Sequence, residues 1–180
     1  IRRFGTVHYM DSRTLRDKLS KLGPSIMDTE PIAMEELVNR WRRYNSKNVC
    51  VVLLNHQDAI SGIGNYLKAT VLYECGVHPM ANIKNLSDET LYQLYTSARE
   101  WGQKAYRAGG ASLYTYTGMN GDRTDFKMDL PTYDRLRDPA GRQVLKMDTP
   151  DDRTTHWVAE VQTKGAPERP KVIVKMRPAT

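Results

Sequence analysis

Gly62, Gly64 and Asn65 form the group in this chain best suited to hold an anion. They lie in residues 56–67, HQDAISGIGNYL, where a tight glycine turn leads into a helix. A glycine lets a bulky phosphate approach because no Cβ stands in the way. The first amides of a helix point outward unpaired, and the helix dipole favours negative charge there. Asn65 adds a side-chain donor at the same end. Read alone, the stretch is more simply an ordinary helix start with Asn near its cap. A second candidate is Arg153. Residues 148–152, DTPDD, read as a turn between short strands at 143–147 and 153–158, which places Arg153 at an exposed hairpin tip. Its plainer reading is a turn arginine paired with Asp151 or Asp152. A third is the opening IRRFG, where Phe4 between arginines can wedge into a base stack while Arg2 and Arg3 hold phosphates or bases. The alternative is a strand with Phe4 in a core and Arg2 solvated. Lys47 lies in a break between two helices and reaches either a phosphate or water.

These residues need helices to place them, and the pattern supplies them. Residues 49–54 are an apolar run read as the first helix of a hairpin. The second helix covers residues 63–75, with Ile63, Leu67, Val71 and Cys75 on one stripe and Gly76 as its C-cap. Upstream, residues 12–22 read as a short helix capped by Ser12, with Leu15 and Leu19 on one face and Gly23-Pro24 as its stop. Pro31 starts another helix, with Leu37 and Trp41 inward and Arg40, Arg42 and Arg43 complementing the dipole at its end. Downstream, Ser87 caps a long helix over residues 88–108, whose inner face is Leu91, Leu94, Tyr95, Ala98, Trp101 and Ala105. Residues 111–130, rich in Tyr, Thr, Gly and Asp, read as loop. His78 reads as a structural or solvated histidine and His156 as a half-buried strand residue.

Composition narrows the class. The chain has 180 residues, a net charge of +6 and a pI near 9.3, which favours an anionic partner such as nucleic acid. No stretch reaches the ~20 apolar residues of a membrane span. Cys50 and Cys75 have no Cys or His at metal spacing, so free buried thiols in a reducing compartment are expected.

Taken together, the pieces resemble the Fpg/Nei family, the formamidopyrimidine and endonuclease VIII base-excision DNA glycosylases. IRRFG at 1–5 is similar to its arginine-phenylalanine intercalation loop, and LGP follows at 22–24. GIGNYL at 62–67, trailed by HP at 78–79, resembles its helix-two-turn-helix motif. GGAS at 109–112, Tyr133, Arg135 and DRTTHWVAEVQ at 152–162 resemble its terminal finger. The resemblance implies a mostly α fold with a small β-hairpin. Residues 1–10 would be the last strands of an N-terminal β-sandwich with the intercalation loop. Residues 11–130 would be the helix-two-turn-helix domain, 131–162 the finger, and 163–180 a basic tail. The family's finger is a zinc ribbon, but its four cysteine positions fall near Ala140, Gln143, Val158 and Val161, none of which binds zinc. That departure is similar to the zincless-finger branch, the Nei-like enzymes of animals and some large DNA viruses.

By the same resemblance, Asn65 and Gly64 would bind phosphates at the lesion, and Arg153 would hold the phosphate beside the flipped nucleotide and assist elimination. Arg2 and Phe4 would fill the hole left by the extruded base, and Lys47 would contact a phosphate. The expected partner is double-stranded damaged DNA, with no cofactor, no metal and no membrane, and the chain acting as a monomer in a nucleus or other DNA-containing compartment. The family's nucleophile, an N-terminal proline, has no counterpart in these residues. The expected function is therefore the DNA-binding part of a bifunctional DNA glycosylase/AP lyase. The alternative is a non-catalytic nucleic-acid-binding module built on the same helix turn.

Overall fold

A computed structural model describes residues 8–107 and 130–167. Arg2, Phe4, GGAS at 109–112 and most of the tail lie outside the described residues. Among the described residues there are five helices and one hairpin: α1 (Ser12–Leu19), α2 (Met34–Arg42), α3 (Val49–Asn55), α4 (Asn65–Glu74), α5 (Asp88–Arg107), β1 (Leu145–Thr149) and β2 (Arg153–Trp157), with a 3-10 turn at Ile83–Asn85. The chain is thus mostly helical with a small antiparallel hairpin, as expected.

The core forms where helical stripes converge. Leu37 and Trp41 of α2, Val52 of α3, Val71 and Leu72 of α4, and Leu91, Leu94 and Tyr95 of α5 are all fully buried. The Tyr95 hydroxyl keeps a partner in this apolar setting by accepting from the Ile32 amide at 3.0 Å. Ser87 caps α5 as its position suggested, its Oγ accepting from the Thr90 amide. Trp101, expected in the core, is only partly buried, and the Lys104 ammonium lies 4.9 Å from its ring centroid.

Several expected boundaries shift for local reasons. The cap of α1 is Asp11, not Ser12, because its carboxylate accepts from both the Arg13 and Thr14 amides at 2.9 and 2.8 Å. Leu15 and Leu19 do share a face, but that face is exposed. Helix α2 starts three residues after Pro31, behind an extended Ala33. Its arginines are structural. Arg40 pairs with Glu36, while Arg42 binds Asp88 and donates to the Ile83 and Leu86 carbonyls. The first strand lies two residues later than expected. Thr149 pairs with Arg153 in register, and Asp152 takes the left-handed conformation (φ 59°) that closes the short turn.

The chain stays packed through residues 162–164. Gln162 is fully buried, accepting from the Val158 amide at 2.8 Å and donating to the Val77 carbonyl at 3.0 Å. Lys164 then exchanges backbone hydrogen bonds with Gly76 and His78. This latch ties the far end of the finger to the end of α4.

Candidate nucleic-acid interface

The glycine turn is built by the segment before it. Gly23 donates its amide to the Gln57 carbonyl at 2.7 Å, and Ser61 donates to the Pro24 carbonyl at 3.0 Å. Gly62 has φ 96°, a region glycine enters without strain. Gly64 is the N-cap of α4, and no side chain caps that helix. A Cβ on Gly64 would meet nothing within 4 Å. The first amides of α4 therefore have no side-chain acceptor, beside a backbone open to a large ligand.

Asn65 opens α4 and is half-buried. Its Nδ2 donates to the Thr154 carbonyl at 3.2 Å, which fixes the amide orientation, since a carbonyl only accepts. Its Oδ1 is buried and has no hydrogen-bond partner among the described residues. Thr154 neighbours Arg153, so the helix turn and the hairpin tip meet through one hydrogen bond. Arg153 is exposed, and among the described residues it has no ion-pair partner. Its plainer reading, a pair with Asp151, is overturned: Asp151 turns inward to Lys68 of α4 at 2.5 Å. Lys47 is exposed, and among the described residues no hydrogen bond links it to Asn65 or Arg153.

Side chains along α4 hold the finger. Besides Asn65 and Lys68, the Tyr73 hydroxyl donates to Asp138 at 3.0 Å and accepts from Arg142 at 3.1 Å. Asp138 also accepts from the Ala140 and Arg142 amides, closing the DPAGR loop on itself. The positions where the family's zinc ligands fall do not fit the metal. Val158 is fully buried and apolar, Ala140 and Val161 offer no donor, and Gln143 is a neutral amide in a backbone bridge with Arg137. Cys50 and Cys75 do not substitute, since burial pushes their thiols up to about 12 and about 11. Among the described residues no cluster of three metal-ligating side chains exists.

Behind the tip, Tyr133 lies 4.9 Å from the His156 ring and 6.4 Å from Tyr66. His156 is more buried than its strand pattern suggested, and neither ring nitrogen has a partner among the described residues. Burial lowers its pKa, helped by repulsion from Lys146, and burial lowers that of His78. Both imidazoles are therefore held neutral by the fold. Below the ordinary value of 6.5 the unfolded chain takes up these protons first, so stability present above pH 6.5 is lost as pH falls toward the folded values. Thermal melts from pH 7.5 down to pH 5 are expected to show a falling Tm, and His156→Phe should flatten that fall.

A mostly helical domain with an antiparallel hairpin docked on α4 defines the class. No protein-family model matches the chain. It is 30% identical over 169 residues to the formamidopyrimidine-DNA glycosylase of Bacillus subtilis (strain 168), covering 91% of this chain and 60% of that protein. It is 30% identical over 182 residues to the formamidopyrimidine-DNA glycosylase of Arabidopsis thaliana, covering 99% of this chain and 43% of that protein. A structure of Lactococcus lactis Fpg with abasic-site DNA superposes with a TM-score of 0.71 at 26% identity, over 84% of this chain and 56% of that one. These relatives support the resemblance to the Fpg/Nei family, and the chain is similar to their C-terminal part, spanning 60% and 43% of the two curated proteins.

Sequence reasoning missed Lys68, Asp151 and the Tyr73 clasp. One signal was present: a lysine inside the otherwise uncharged run NYLKATVLY of a helix bound for the core.

Proposed function

We propose that this chain is the DNA-binding part of a base-excision-repair DNA glycosylase/AP lyase, acting on damaged double-stranded DNA in a DNA-containing compartment. The observation that carries this reading is the hydrogen bond from Asn65 to Thr154. It brings an uncapped helix start and an exposed arginine together at one edge of the molecule. One bent sugar-phosphate strand can then be held at two points, by Gly64 and Asn65 on one side and Arg153 on the other. Extruding a base costs a few kcal/mol, and clamping the kinked backbone offsets part of that cost. Arg2 and Phe4 are the wedge in this reading, and Lys47 is an outlying phosphate contact. Ala140, Gln143, Val158 and Val161, which cannot hold zinc, support the zincless-finger branch.

Asn65→Ala and Arg153→Ala should each weaken binding to an abasic-site duplex by roughly 1–3 kcal/mol in a gel-shift series. Normal binding by both variants would remove the phosphate clamp. Catalysis is tested by borohydride trapping on abasic-site DNA, using a protein with its native N-terminus. A trapped adduct supports the lyase, and its absence favours a non-catalytic binding module.

A further inference from the structure

Lys68 is one turn along α4 from Asn65, and its side chain is fully buried. A lysine is almost never found so deep unless paired. Its ammonium lies 2.5 Å from Asp151 Oδ2, and the Asp151 side chain is equally buried. The other carboxylate oxygen accepts from Thr149 Oγ1 at 2.5 Å. Thr149 Oγ1 also lies 2.8 Å from the Arg153 carbonyl and 2.8 Å from Thr155 Oγ1. Asp151 is thus bonded on one side to the helix that begins with Asn65, and on the other to Thr149 at the end of β1, whose hydroxyl faces the Arg153 carbonyl and Thr155 of β2.

Packed apolar side chains of similar volume would stabilise this junction at least as well, without the desolvation cost of two charges. An ion pair with its lone pairs filled does something apolar contact does not: it accepts one register of turn against helix. We propose that Lys68 and Asp151 are positioning residues. They fix the separation between the Asn65 amide and the Arg153 guanidinium, and so set which backbone geometry the pair can clamp. The inference rests on the reading of those two residues as a phosphate clamp.

The test is a cycle in the full chain, comparing the double variant Lys68→Met/Asp151→Leu, Arg153→Ala and their combination on an abasic-site duplex and its undamaged counterpart. The double variant is expected to keep a cooperative thermal melt, yet bind the abasic duplex about tenfold more weakly. Adding Arg153→Ala should then cost little more, because the guanidinium is already misplaced. Generic loosening would not produce that non-additivity. Wild-type binding by the double variant while Arg153→Ala is weak, or losses that multiply in full, would overturn the positioning role alone. Equal binding of both duplexes by the wild type would overturn the clamp and the positioning role together. Should the double variant fail to fold, Lys68→Arg keeps the charge and shifts the contact. It is expected to lose binding in the wild-type background but not in Arg153→Ala, and unchanged binding in both would sink the proposal.

Discussion

Lys68→Met alone is expected to destabilise the chain by ~3–5 kcal/mol, measured by urea denaturation. The variant keeps the volume of the side chain but leaves the fully buried Asp151 without its cation. Thr149 Oγ1 remains as a donor to the carboxylate, and one neutral hydrogen bond does not replace an ammonium. The comparison with Arg40 and Glu36 makes the magnitude plain. That pair is 31% and 58% exposed on α2, and such a pair contributes only ~0.3–0.5 kcal/mol. Glu36→Ala is the matched control. If Lys68→Met and Glu36→Ala unfold at similar urea concentrations, burial is not what gives the inner pair its weight.

The second large effect is Gly23→Ala. A Cβ at this position would lie 2.4 Å from the Asp58 carbonyl oxygen and 2.7 Å from its carbon. Both are backbone atoms of the turn between α3 and α4, so no side chain can swing aside. Gly23 or the glycine turn must move, at about 3 kcal/mol or more. The displaced turn carries Gly62 and Gly64, so the variant should also lose affinity for abasic-site DNA at temperatures where it remains folded. Full retention of stability in a thermal melt would show that the turn yields more easily than its packing implies. The physical content of LGP at 22–24 is this contact: the glycine lies against the turn, and the proline carbonyl accepts from Ser61.

Much of this arrangement was legible because its causes are local. The glycine turn and the Gly76 terminus rest on chemistry within a few residues, and the structure has Gly62 at φ 96° and Gly76 at φ 66°. The long periodic face of α5 was readable for the same reason. What was not legible depends on partners distant in the chain. Lys68 lies off the apolar stripe of its helix, and only a turn 83 positions later makes its surroundings an interior. Arg153 next to two aspartates invites a local pair, yet the tertiary partner took Asp151 away. Asp11 and Ser12 are both good caps, and pattern alone does not choose between them. Gln162 closes the finger on a partner equally distant, the buried Val77 carbonyl 85 positions earlier.

The latch from Gln162 to Lys164 has a mechanical corollary. With both ends of the finger fastened to one helix, the hairpin cannot swing open like a jaw while the interior stays closed. On the proposed reading, helix and finger would meet a duplex as one template, and the curvature of a double helix seated there would come from the nucleic acid. Sequences that already flex, or whose stacking is broken by a lost base, would adopt that shape at the smallest elastic cost.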